Sequence, residues 1–265
     1  MTKRHLITCS VIVLLVIFSA INIRGAKAGP QIKKSAKSSA RIPYNGSKFI
    51  FTTADDENDY SFANEALPLR DAGVKRRLQL SLRKHNFRNV QSNILQNKAD
   101  RIFPIIEPIL SAYGIPDDFK YLPLVEAGFS EGTSSKGAKG LWQFMPGTAR
   151  TYGLKVGHGI DERTNIRKST IAACRYIKEL YVEFNSWTLA AAAYNNGSIK
   201  MEQAINRQNE DNYFRMHLNR ETAAYVYNLI AMKAIITHPV RFGFKKNYKL
   251  KYFNPGSSEL LAINE

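Results

Sequence analysis

From about residue 70 onward, apolar side chains return every three or four positions, and this spacing constrains the fold more than any other property of the chain. Val74, Leu78 and Leu82 share one helix face, and Ile102, Ile105, Ile106, Ile109, Leu110 and Tyr113 follow the i, i+3, i+4, i+7, i+8 pattern. Gly114 ends that run. Pro116, with Asp117 and Asp118 behind it, has the fixed φ and first-turn acids of a helix start, and the helix is expected to run through Leu122 to Glu126 before Gly128 loosens it. Pro146 opens a short helix that stops at Gly153, and Ala173, Ile177, Leu180, Tyr181 and Phe184 mark one face of a longer helix begun near Ser169. Trp187 to Tyr194 reads as a compact Ala-rich helix, and Asn219 caps a last one that reaches about Thr237 and is ended by Pro239. Only Lys249 to Phe253 reads as a strand, and only in isolation. The expectation is one mainly α domain.

The two ends are different in character. Lys3, Arg4 and His5 precede an apolar run from Leu6 to Ile23, and Ala26-Lys27-Ala28 supplies the small alternate residues of a signal-peptidase site, so residues 1–28 read as an export signal cleaved after Ala28. A run of this length also suits retention as a membrane anchor, which makes membrane association through the N-terminus the second outcome. Residues 29–69 read as a flexible linker, since Gly29 to Arg41 is rich in Lys, Ser and Ala and Asp55 to Asp59 is an acidic patch. The folded unit is expected over residues 70–244, with 245–265 a short basic tail. Removing residues 1–28 takes away Cys9 and leaves Cys174 alone, so the exported domain forms no internal disulfide and its core must suffice. Cys174, beside Ala172, Ala173 and Ile177, reads as a small buried hydrophobe.

Charge narrows the partners. The formal net charge is +16, and removal of the four basic residues Lys3, Arg4, Arg24 and Lys27 leaves +12. In an exported protein this balance favours a cell-wall polymer or lipid surface, and the chain has neither zinc-finger spacing nor an aromatic nucleic-acid signature, so no nucleic-acid partner is expected. Much of the charge falls between Arg70 and Arg101, where a solvated helix face and a polymer-binding face are equally good readings. His5, His85, His158, His217 and His238 share no ligand spacing, so no metal site and no cofactor are expected.

The residue with the clearest chemical promise is Glu126. Phe119, Leu122 and Glu126 lie three or four residues apart, so a helix puts them on one face, and Val125 and Phe129 add to an apolar wall around the carboxyl. Desolvation favours the protonated form of such an acid and suits it to donate a proton, whereas the same glutamate at a bare helix end would simply be solvated.

Five blocks resolve that choice by resemblance. LPLVEAGF, SSKGAKGLWQFMPGTARTYGL, DERTN, WTLAAAAYNNG and ETAAYVYNLIAMKAI occur in the order and approximate spacing of soluble-lytic-transglycosylase catalytic domains, and the chain most resembles the membrane-bound murein transglycosylase D type over Gly73 to Phe244. The resemblance implies a goose-type, lysozyme-like α domain acting on peptidoglycan glycan strands in the periplasm or cell envelope. It also implies cleavage of the β-1,4 bond between N-acetylmuramic acid and N-acetylglucosamine with closure of a 1,6-anhydro ring, Glu126 matching the family's single catalytic acid. A muramidase that uses water and a catalytically weak peptidoglycan-binding scaffold are the alternatives. The resemblance assigns Gln143, Phe144 and Met145 to the substrate cleft, with Gln143 suited to an acetamido group and Phe144 or Met145 to a sugar face. Taken unaligned, Trp142 and Phe144 suit core as well as cleft. Tyr194 and Asn195 match a block that contacts glycan, and Asn195, Asn196 and Gly197 are also chemically apt as a helix C-cap. Glu221, Thr222 and Tyr225 match a block whose tyrosine reaches the acid, so Tyr225 either supports Glu126 or fills core. The family commonly has serine after the glutamate; here it is Ala127.

Overall fold

The helix at the centre of the molecule is the last long one. The computed structural model describes residues 60–90, 93–126 and 132–244. In chain order it has a hairpin of β1 (Ser61–Phe62) and β2 (Glu65–Ala66), then α1 (Ala72–His85), α2 (Phe87–Val90) and α3 (Ile94–Ala112). A 3-10 turn (Asp117–Tyr121) leads into α4 (Leu122–Glu126) and later α5 (Pro146–Thr151). A second hairpin, β3 (Val156–Gly157) with β4 (Ile160–Asp161), and a 3-10 turn (Glu162–Thr164) precede α6 (Ile166–Phe184). Then come α7 (Trp187–Asn196), α8 (Ser198–Gln208), α9 (Thr222–Thr237) and a closing 3-10 turn (Pro239–Phe242). The mainly α expectation holds.

Helix α9 is apolar on nearly every side, and such a helix is stable only when surrounded. Val226, Leu229, Ile230, Met232 and Ile235 are buried, with α1 and α7 packed against it. Helix α7 contributes Ala190, Ala191, Ala192 and Ala193, all fully buried, and these small side chains let its backbone lie close between α6 and α9. Both helices therefore carry their ends to fixed places. Among the described residues no helix is long and apolar enough to cross a membrane.

Several boundaries differ from the sequence expectation, each for a local reason. The span from Pro116 to Glu126 is a 3-10 turn followed by a short α-helix instead of one helix. Pro123 has no N–H to donate to Phe119, and the Leu122 N–H takes that carbonyl in a 3-10 bond instead. Helix α6 starts at Ile166, three residues before Ser169, because Asn165 Oδ1 accepts the Lys168 N–H at 2.9 Å. Helix α8 was not anticipated, since only Met201 and Ala204 of its eleven residues are buried and the apolar stripe is correspondingly thin. Gly114 does end α3, with φ +67° and the Ile115 N–H bonded to the Leu110 carbonyl. Cys174 is buried, and burial pushes its thiol up to about 12, in keeping with an inert core residue.

The largest difference is at the start. The linker was expected to extend to residue 69, yet Tyr60 and Phe62 are fully buried and the chain joins the fold ten residues earlier. Two-residue strands carry no periodic signal, and Phe62 is buried against Phe119, distant in sequence. The apolar run at residues 6–23, the cleavage position after Ala28 and the strand at 249–253 lie outside the described residues.

Candidate active site

Glu126 ends α4, backed by the fully buried Phe119 and Leu122, and is itself half-buried. Its Oε1 accepts the hydroxyl of Tyr225, on α9, at 2.5 Å across 99 positions of sequence. Burial raises the carboxyl to about 7; the Tyr225 hydrogen bond opposes that rise and the negative charge of Glu221 adds to it. Tyr225 is buried too, and desolvation with the neighbouring Glu126 charge holds its phenol well above its ordinary value. The phenol therefore remains a donor, and Glu126 sits at the midpoint of its titration near neutrality, able both to give and to take a proton.

A second layer of polar groups holds the nearby Glu221. Asn195, near the end of α7, donates from Nδ2 to Glu221 Oε1 at 3.0 Å and accepts the Thr222 hydroxyl at 2.9 Å. Asn219 caps the start of α9 by accepting the Thr222 N–H at 3.0 Å, and its own amide donates to Thr222 Oγ1 at 2.9 Å. Asn195 is thus not a C-cap; that place is taken by Gly197, at φ +86°. Its side chain instead ties α7 to the first turn of α9, one turn from Tyr225.

The loop carrying GLWQFMP is built from beneath. Lys139 and Phe144 form an antiparallel bridge, and Gln143, in the left-handed region at φ +48°, folds its amide back to donate to the Gly140 carbonyl at 2.8 Å. Trp142 is fully buried, with Nε1 donating to Thr170 Oγ1 on α6 at 2.9 Å, which decides the core reading for it. Phe144 is only 3% exposed and edge-on to Tyr194, so the sugar-face role suggested for it is corrected to core packing; Met145 beside it is half-buried. Tyr194, 7% exposed, donates its hydroxyl to the Trp142 carbonyl at 2.8 Å and packs on Tyr176, making it a brace between α7 and this loop.

The residue that anchors the loop was not singled out from sequence. Arg163 is buried, and its guanidinium makes a two-point contact with Asp161, Nε to Oδ1 and Nη2 to Oδ2, both at 2.8 Å. Its Nη1 donates to the carbonyls of Gly137 at 2.7 Å and Phe144 at 3.0 Å. Arg163 holds the Asp161 carboxyl far below the usual carboxylate range. The signal available was an Asp-x-Arg pair inside DERTN, a block otherwise too polar to read as core.

Gly140 passes so close to this anchor that a Cβ there would lie 1.9 Å from the Arg163 carbonyl oxygen, at φ +80°. Gly140→Ala is therefore expected to destabilise the protein by at least about 2 kcal/mol, because left-handed strain and overpacking against backbone add together. A urea titration that leaves the midpoint unchanged would contradict this. A separate cavity of about 270 Å³ opens at the other end of α7, lined by Glu65, Thr188, Asp211 and Phe214 among others, and Glu126 is not part of it.

The domain is mainly α, with a desolvated glutamate held by a tyrosine from the central helix, and residues 105–217 match the family model of the Transglycosylase SLT domain. Glu126, Gln143, Phe144, Met145, Tyr194 and Asn195 fall inside the match; Glu221 and Tyr225 follow it. Among curated proteins, the chain is 34% identical over 137 residues to the membrane-bound lytic murein transglycosylase D of Escherichia coli strain K12, a stretch that is 49% of this chain and 30% of the relative. The protein of the same name from Escherichia coli O6:H1 matches with the same identity and the same coverage. The chain thus spans less than a third of the length of these relatives.

Proposed function

We propose that this protein is a peptidoglycan lytic transglycosylase in which Glu126 acts first as acid and then as base. The observation that carries the reading is a single carboxyl raised to about 7 and held by a phenolic donor at 2.5 Å. Protonated Glu126 gives its proton to the glycosidic oxygen as the bond from C1 of N-acetylmuramic acid to O4 of N-acetylglucosamine breaks. The resulting carboxylate takes the proton of the muramic C6 hydroxyl while that oxygen bonds to C1, closing the 1,6-anhydro ring. No water is consumed, and delivery of the nucleophile from within the sugar replaces a second catalytic carboxylate. Glu221, committed to Asn195, serves as a negative neighbour that helps keep Glu126 protonated.

Tyr225 is proposed to orient the carboxyl and steady its anionic form. Gln143 and Met145 are proposed to meet the glycan, with Asn195 and Tyr194 positioning what meets it. The net charge, +16 for the whole chain and +12 without residues 1–28, supports an anionic envelope polymer as partner, and residues 1–28 support an exported location, periplasmic or membrane-anchored. Ala127 removes a hydroxyl that relatives commonly have and is proposed to alter rate or substrate preference more than reaction type.

Mass spectrometry of a peptidoglycan digest tests the reading. Muropeptides ending in anhydro sugars, lighter by one water than the hydrolysis products, are expected. Reducing-end products alone would make the protein a muramidase, and tight wall binding without turnover would make it a scaffold. Activity is also expected to decline as pH rises through about 7, because the donating form of Glu126 disappears there. An alkaline limb set instead near pH 10 would assign the acid elsewhere.

A further inference from the structure

Besides a 3.5 Å contact between the Tyr121 and Thr237 hydroxyls, two ties join the segment that ends in Glu126 to helix α9, and they are evenly placed. One is the Tyr225 hydroxyl on Glu126. The other is Lys233 on Asp118, with Nζ 2.8 Å from Oδ2. Asp118 precedes Glu126 by the same eight residues by which Lys233 follows Tyr225. The two segments therefore run antiparallel and are latched at both ends of one stretch, about 12 Å of α9 apart at 1.5 Å per residue. A single hydrogen bond leaves a pivot, whereas two attachments fix register.

The N-terminal hairpin roofs the second tie. Asp118 Oδ2 also accepts the Ala63 N–H at 2.7 Å, and Lys233 Nζ reaches the Ser61 carbonyl at 3.3 Å. Phe62 is fully buried, edge-on to Phe119 beside Asp118, at 5.0 Å between ring centres. Under this cover the pair is only 14% and 24% exposed at Asp118 and Lys233, so solvent screens it weakly. Glu65, from the same hairpin, extends the hold to α7: it accepts the N–H groups of Trp187 and Thr188 at 2.5 and 3.0 Å and the hydroxyls of Thr188 and Ser186 at 2.6 and 3.0 Å. One short segment thus grips the elements bearing Glu126, Tyr225 and Asn195, and it lies ahead of the stretch matched by the family model.

We propose that the Asp118–Lys233 pair, covered by the residue 60–67 hairpin, is a positioning latch that sets the register in which Tyr225 meets Glu126. Its catalytic consequence rests on the proposed role of Glu126. Neither residue touches the reacting atoms.

The test compares Lys233→Met, which keeps the aliphatic stem, with Lys233→Arg, which keeps the charge, each with and without Tyr225→Phe. Lys233→Met is expected to lower kcat about tenfold to a hundredfold through misplacement of the pair, with KM within about twofold. Lys233→Arg should restore most of the loss. On the Tyr225→Phe background Lys233→Met should cost less than about threefold, since coupled residues are not additive. A second readout is independent of turnover: in protein labelled at tyrosine Cζ, the Tyr225 carbon resonance, assigned by its loss in Tyr225→Phe, should move in Lys233→Met and stay in Lys233→Arg. Equal losses on both backgrounds, unchanged kcat, or an unmoved resonance would each overturn the latch. If Lys233→Met does not fold by circular dichroism, Asp118→Asn takes its place, with the same expected outcomes. Full activity in Glu126→Gln would instead sink the functional reading, while the resonance still decides the latch.

Discussion

Glu126→Gln is expected to lower turnover of peptidoglycan by about 10²- to 10⁴-fold, the scale on which a positioned proton donor contributes. The amide occupies the same space and accepts the Tyr225 hydroxyl, but has no proton to release to a leaving oxygen. The same substitution should stabilise the protein above neutral pH. Glu126 is raised from 4.5 to about 7 in the native state, so between those values the folded chain holds a proton that the unfolded chain has lost. Stability from this group is present below about pH 4.5 and is lost as pH rises through about 7. Unfolding at pH 8 should therefore find Glu126→Gln more stable than wild type by about 3–4 kcal/mol, from roughly 1.4 kcal/mol per unit between 4.5 and about 7. The gap should close at pH 4. An inactive variant with no stability gain would mean that Glu126 is not desolvated in the native state, and a fully active one that it is not the acid.

Arg163→Ala is expected to destabilise the protein by about 3–5 kcal/mol, because it takes one buried guanidinium from a carboxylate and two carbonyls at once. Asp161 would lose its two-point partner, and the carbonyls of Gly137 and Phe144 would lose a buried donor. Arg163→Lys should recover little, since an ammonium cannot match the carboxylate at two points while reaching two carbonyls. The Asp161 carboxyl is depressed, so its contribution persists above the ordinary carboxylate range and is lost only in strong acid. The deficit should consequently be equal at pH 7 and pH 5 in urea titrations. A loss below about 1 kcal/mol would mean that the loop is held elsewhere.

Both predictions concern charged residues in short blocks, one apolar around Glu126 and one polar around Arg163, and sequence treated them differently. Glu126 was visible because apolar neighbours at Phe119 and Leu122 allowed a desolvated acid, and the matching blocks chose that reading over a solvated helix end. Arg163 was not, because its partners at 137, 144 and 161 sit on loops with no periodicity to register them. Phe144 shows the converse limit: an aromatic residue suits a sugar face and a core equally, and only the Tyr194 ring beside it chose the core. Glu65 resembles any surface acid in sequence and Asp118 reads as a first-turn acid of a helix start, yet both bind backbone N–H groups far away along the chain.

What the amino-acid order determined by itself is what depends on neighbours within a turn or two: helices α1, α3, α7 and α9 and their stops at Gly114 and Pro239, with α6 three residues late, and the greasy face that holds Glu126. The tertiary structure decided what depends on residues far apart along the chain. It brought Tyr225 to Glu126 across 99 positions, placed Asn195 on Glu221, and folded residues 60–67 over the Asp118–Lys233 pair. Hydrophobic periodicity reports which face of a helix avoids water and is silent on which helix it meets, whereas hydrogen bonds and ion pairs form only once that meeting has occurred.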